Sequence, residues 1–131
     1  MARPVLQIII GSTRPTRVGG KVGRWFYQAA VEHGGFEVEV VDLAEVNLPI
    51  FNEPKHPRFG EYEYQHTRDW SATISRADAY VFVIPEYNHS VNAATKNAID
   101  YLHKEWAYKP VGFVSYGGVA AGTRAMQMVK Q

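Results

Sequence analysis

Apolar positions along the chain fall into two kinds of run that alternate. Val5-Leu6-Gln7-Ile8-Ile9-Ile10 is an almost continuous apolar stretch, rich in β-branched residues, that stops at Gly11. This pattern predicts a strand buried on both faces of a parallel sheet. Val18, Val22, Trp25, Phe26 and Ala29 then recur at helical spacing, which predicts a helix of about four turns with one apolar stripe. His33-Gly34-Gly35 closes it, because glycine accepts the left-handed cap. Phe36 to Val41 alternates apolar and acidic residues and predicts a half-exposed strand at a sheet edge.

The second half repeats the scheme. Ala79-Tyr80-Val81-Phe82-Val83-Ile84 reads as a buried strand stopped by Pro85, and Pro110 to Tyr116 as another stopped by Gly117-Gly118. Helices are expected from Asp69 or Ser71 through Arg76, from about Ser90 to Lys104, and from Ala120 onward. Leu48 to Arg68 mixes prolines, aromatics and charges without periodicity, so a long loop is expected there. The strand–helix alternation predicts one doubly wound α/β domain with a parallel sheet.

Composition narrows the function classes. At 131 residues, 46% hydrophobic and 21% charged, the chain is a globular domain with one core. Cysteine is absent, so disulfides, thiol nucleophiles and thiolate metal sites are excluded. No apolar run approaches a membrane span and no signal peptide is expected at the start, so a cytoplasmic location is expected. A net charge of +1, with both signs dispersed, offers no basic stripe for nucleic acid. The five histidines form no His-x-x-x-His pair, and no metal site is expected. Trp25, Phe26, Trp70 and Trp106 are expected in the core or an interface.

In doubly wound sheets, ligands collect beyond the carboxyl ends of the strands. Three of the loops expected there have unusual content. Gly11-Ser12-Thr13-Arg14-Pro15-Thr16-Arg17-Val18-Gly19 joins the first strand to the first helix. Free N–H groups and the helix dipole at that position attract a phosphate. Ser12 and Thr13 add neutral donors, and Arg14 and Arg17 add charged forks. The loop is not a Walker A loop: Val22 follows Gly20-Lys21, and Pro15 stands where the earlier glycine is required. Nor is it a dinucleotide fingerprint, since Thr13 takes the second glycine position. Asp42, after the second strand, therefore reads as a loop or cap residue. Pro85-Glu86-Tyr87-Asn88-His89-Ser90 offers backbone groups, an aromatic face and an amide. Ser115-Tyr116-Gly117-Gly118 lets backbone approach a flat ring closely. A planar heterocycle carrying one phosphate, as in FMN, fits such a set.

Gly11 to Gly19, Pro85 to Asn88, Lys96-Asn97-Ala98-Ile99-Asp100-Tyr101-Leu102 and Ser115 to Gly118 together resemble the NADPH-dependent FMN reductase family, which includes quinone, azo and chromate reductases. The resemblance implies a flavodoxin-like fold. It implies that Ser12, Arg14, Arg17 and the N–H of Val18 hold the FMN phosphate. Pro85, Glu86, Tyr87 and Asn88 would line the ring and ribityl chain. Ser115, Tyr116, Gly117 and Gly118 would meet the pyrimidine end. NADPH would pass a hydride to FMN, and a quinone, azo compound, metal oxyanion or flavin would take the electrons. No catalytic acid or base is implied. A homodimer or higher homo-oligomer is implied as well.

The chain departs from the family at Val91-Asn92-Ala93-Ala94-Thr95, where a proline and a leucine often precede the Lys-Asn pair. It also ends inside the fourth helix, so strand order 2-1-3-4 is expected, with the family's fifth strand missing and the fourth strand at an edge. Two other classes stay open at this point: a one-electron carrier of the same fold, which the near-neutral charge disfavours, and a cofactor-free interaction domain.

Overall fold

The computed structural model describes residues 1–131. β1 (Val5–Ile10) lies at the centre of a parallel sheet, with β2 (Glu37–Asp42) on one side and β3 (Ala79–Tyr87) on the other. β5 (Val111–Tyr116) pairs in parallel with the far side of β3. The four parallel strands thus follow the predicted 2-1-3-4 order of the flavodoxin-like fold. A fifth strand, β4 (Ser90–Val91), is two residues long and antiparallel, and folds back on Glu86 and Tyr87. It extends the tip of β3 and leaves the outer edge of β5 free.

The apolar runs are buried as their patterns dictate. Ile8 and Ile9 are both fully buried although they point to opposite faces. On one face Leu6, Ile8 and Val83 meet Ala30 of α1 (Gly19–His33). On the other, Ile9, Phe82 and Ile84 meet Trp70 and Ile74 of α3 (Gln65–Ser75), Ala98 of α4 (Ala93–Asp100) and Ala125 of α5 (Thr123–Lys130). Trp70 is also tied by its indole N–H to the Ala98 carbonyl at 2.9 Å, so the largest core side chain has its polar atom satisfied. Gly34 closes α1 at φ 75°, as its residue type predicts. No helix is long and apolar enough to cross a membrane.

Four expectations are corrected. α1 buries only part of the stripe that its apolar residues suggest: Val22 and Phe26 pack on the core, but Val18 is 54% and Trp25 61% exposed, and Gly19, Gly23 and Ala30 complete the inward face. The small residues let the helix sit close to the sheet, and a Cβ on Gly23 would come within 2.7 Å of Ile10. β3 runs through Pro85 to Tyr87 instead of stopping. Val83 turns its carbonyl toward Gly11, so Pro85 faces the same side, where β1 has already ended and no N–H is required. α4 is short because β4 takes Ser90 and Val91, and Asn88 and His89 turn the chain with φ of 49° and 62°. α3 begins at Gln65, not at Asp69 or Ser71, and the preceding stretch holds α2 (Leu43–Val46) and a 3₁₀ turn at Pro57–Phe59.

Candidate functional site

The carboxyl ends of β1, β3 and β5 meet at a cavity of about 250 Å³. Its walls include Ser12, Arg14, Arg17 and Val18 from the first loop. Pro85, Glu86 and Tyr87 come from the end of β3, and Tyr116, Gly117 and Gly118 from the end of β5. Residues far apart in sequence converge because parallel strands deliver all their C-terminal loops to one edge. Asn88 and Ser115 do not line it: Asn88 forms the turn into β4, and Ser115 remains within β5. Thr16 does line it, between the two arginines; only its place in the loop signalled this. Thr13, expected beside Ser12, faces another cavity.

The two arginines differ in state. Arg14 is exposed and touches only the Tyr87 hydroxyl, at 3.4 Å. Arg17 forms a two-pronged pair with Asp42, at 2.6 and 2.5 Å, and also donates to the Ser12 carbonyl at 2.6 Å. The hydrogen bond to Asp42 holds the Arg17 guanidinium further above its ordinary range. Asp42 in turn caps α2 by accepting from the Ala44 N–H at 3.0 Å. It is the cap residue that the sequence suggests, with a second role that no local pattern carries.

The amino end of α1 has no capping side chain and no acidic residue in its first turn. Its first N–H groups, beginning beside Val18, are left for an anion. Tyr116 points its hydroxyl into the same region. That oxygen is buried and has no hydrogen-bond partner in the protein. Burial pushes its pKa up, so the group stays a neutral donor. An exposed arginine and an uncapped helix end therefore border one cavity that Tyr116 also lines, with the Tyr116 hydroxyl buried beside Gly19 and Ser12. This donor set suits a phosphate monoester such as that of FMN.

Glu86 lines the cavity and also has a structural role. Its carboxylate accepts from the Arg124 N–H at 2.9 Å, lies 3.5 Å from the Arg124 guanidinium, and is 8% exposed. It caps α5 and so holds the turn after Gly118 in place. Gly122 shapes the same turn: its φ is 88°, and a Cβ there would sit 2.5 Å from the Tyr116 nitrogen.

A larger cavity of about 370 Å³ lies on the other side of the first loop, between Thr13, α2 and the start of α4. Asn97 shapes its rim. Its amide donates to the Pro49 carbonyl at 2.9 Å and accepts from the Phe51 N–H at 2.8 Å. The Tyr101 hydroxyl donates to the same Pro49 carbonyl at 2.9 Å. The Lys-Asn-Ala-Ile-Asp-Tyr-Leu motif therefore anchors the segment after β2. Its partners lie about fifty residues away, beyond the reach of any local pattern.

Comparison with known proteins gives the family and the fold. The sequence model of the NADPH-dependent FMN reductases matches residues 5–131. An NAD(P)H-dependent FMN reductase of Nectria sp is 38% identical over 126 residues, covering 92% of this chain and 62% of that relative. One from Schizosaccharomyces pombe is 38% identical over 127 residues, covering 95% and 64%. The chain thus spans less than two thirds of the length of these relatives. Among solved structures, the flavoenzyme NAD(P)H:(acceptor) oxidoreductase of Paracoccus denitrificans superposes with a TM-score of 0.76 at 22% identity, covering 97% of this chain and 69% of that one. The chain belongs to the NADPH-dependent FMN reductase family.

Proposed function

We propose that this chain binds FMN at the cavity between the three loops and serves an NADPH-dependent reductase of quinones, azo compounds, metal oxyanions or flavins. The single observation that carries the reading is the meeting of Arg14 and the uncapped start of α1 at one cavity that Tyr116 also lines. When bound, FMN supplies the redox chemistry, and the protein supplies binding, orientation and electrostatics. Arg14, Ser12 and the N–H groups near Val18 hold the phosphate. Pro85 to Tyr87 and Tyr116 to Gly118 line the space for the flat ring, and Glu86 keeps that wall rigid through α5. Arg17 supports the loop from behind through Asp42. Relatives named quinone reductase from Pseudomonas putida and NADPH azoreductase from a Bacillus strain support quinones and azo compounds among these acceptors.

A cytoplasmic homodimer belongs to the same proposal. The dimer is supported by the exposed Trp25, and sedimentation velocity at low micromolar concentration tests it. The function is tested by titrating the purified chain with FMN and with riboflavin, followed by NADPH oxidation with a quinone acceptor. FMN binding at least tenfold tighter than riboflavin, with acceptor-dependent oxidation, is expected. Equal affinity for the two flavins would remove the phosphate site and the proposal with it.

A further inference from the structure

Gly11 is the point at which the phosphate-facing loop leaves β1, and it is held from two directions. Its N–H donates to the Val83 carbonyl at 2.9 Å. Its carbonyl accepts from the side-chain amide of Asn92, at 2.8 Å. The Asn92 oxygen then accepts from the Thr95 hydroxyl at 2.7 Å. Asn92 is 5% exposed and Thr95 is fully buried, so water does not compete for these bonds. The Thr95 hydroxyl also packs directly on Gly11, leaving no space for a side chain there.

The chemistry fixes every direction in this chain of bonds. A backbone carbonyl can only accept, so the Asn92 NH₂ must face Gly11 and its oxygen must face Thr95. The threonine hydroxyl must then donate. Neither residue is satisfied without the other, and Gly11 loses its carbonyl partner without Asn92. Asn92 is the N-cap residue of α4 and Thr95 lies in its first turn.

We propose that Asn92 and Thr95 act as one coupled pair of positioning residues that brace the loop from Ser12 to Val18 against the start of α4, and so set the placement of its anion-binding groups. This rests on the FMN reading above for its functional consequence, and on geometry alone for the brace.

The test uses Thr95→Val, which keeps the shape and removes the donor, Thr95→Ser, which keeps the donor, and Asn92→Ala alone and with Thr95→Val. Amide hydrogen exchange of the flavin-free chain is measured first. Thr95→Val should speed exchange from Ser12 to Val18 while β2 and α3 stay unchanged, and Thr95→Ser should restore protection. In flavin titrations, Thr95→Val should weaken FMN about fivefold, the size of one buried hydrogen bond, and leave riboflavin unchanged. Adding Thr95→Val to Asn92→Ala should cost nothing further, since coupled residues are not additive. Unchanged loop exchange, or equal weakening of FMN and riboflavin, would overturn the brace. A wild-type chain that prefers FMN no more than riboflavin would overturn the FMN reading, and the exchange comparison would then decide the brace by itself. If Asn92→Ala fails to fold, the comparison of Thr95→Val with Thr95→Ser carries the decision.

Discussion

Arg14 and Arg17 sit three residues apart in one loop, yet their surroundings assign them different work. Arg14 has one long contact and is free to meet a phosphate, whereas Arg17 is clamped to Asp42 and the Ser12 carbonyl. Replacing Arg14 with Ala should weaken FMN about tenfold or more by removing a charged hydrogen bond, with melting and riboflavin binding little changed. Replacing Arg17 with Ala leaves Asp42, 14% exposed, without its cation. That change should lower stability by about 1–3 kcal/mol as well as weaken FMN, because an unpaired, largely buried carboxylate costs more than a lost surface bond. Flavin titration and denaturant melts on both variants separate the two roles. Tyr116 supplies a contrasting case. Its hydroxyl is buried and unpartnered in the protein, so Tyr116→Phe should hold or raise the stability of the flavin-free chain. The same change should weaken FMN about fivefold if that hydroxyl serves the ligand, since one neutral hydrogen bond is lost. A variant that melts lower and binds FMN normally would show the hydroxyl to be structural.

Among the elements, the segment between β2 and α3 depends on side chains, because it has little secondary structure of its own. Glu53 accepts from the Glu63 and Tyr64 N–H groups at 2.8 and 3.0 Å, which pulls the end of the segment onto its start. Asn97 and Tyr101 tie down Pro49 and Phe51 from α4. This arrangement predicts that Asn97→Ala frees the Pro49–Phe51 turn without unfolding the sheet. The expected loss is about 1–3 kcal/mol, from the partly buried Phe51 N–H left unpaired, while the Pro49 carbonyl keeps the Tyr101 hydroxyl. Limited proteolysis with a protease that cuts after aromatic residues should show faster cleavage at Phe51. Unchanged cleavage would mean that packing of Phe51 on Tyr101, whose rings lie 5.1 Å apart, suffices to hold the turn.

At the scale of the whole molecule, three carboxylates link distant elements and respond to acid together. Glu39 on β2 receives Gln7 and Arg76, and these partners hold its pKa below the ordinary value of 4.5. Burial pushes Glu53 and Glu105 upward, but the donors around each outweigh it, so both end below that value as well. Glu105 joins Tyr62, Ser71 and the His103 N–H, binding the long segment, α3 and the end of α4 to one point. The sign follows from linkage: a carboxyl with a depressed folded pKa binds fewer protons folded than unfolded. Its contribution is complete above the unfolded value near 4.5 and is lost as pH falls through the folded value below it. Melting temperature should therefore be level near neutral pH and drop steeply below about pH 4.5. Glu105→Gln should lower the plateau and flatten that acid slope. A variant with an unchanged slope would show that other groups drive acid unfolding.

The sequence by itself determined the four parallel strands and the edge at which the site forms, while their order was implied by the resemblance that its motifs carry. Continuous β-branched runs can be buried only on two faces, and parallel strands must return through helices on fixed sides. It also determined the residue types at that edge, since glycine turns, arginines and an aromatic loop are legible wherever they stand. What only the tertiary structure decided is the state of each side chain. Arg17 and Asp42, Glu86 and Arg124, Asn92 and Gly11, and Asn97 and Pro49 are separated by tens of residues, and their pairing depends on how helices dock on the sheet. Helix α1 shows the same division: its helical period was readable, yet its glycines, not its tryptophan, face the sheet. Local patterns report which residues prefer burial or charge, whereas close packing selects which of them meet.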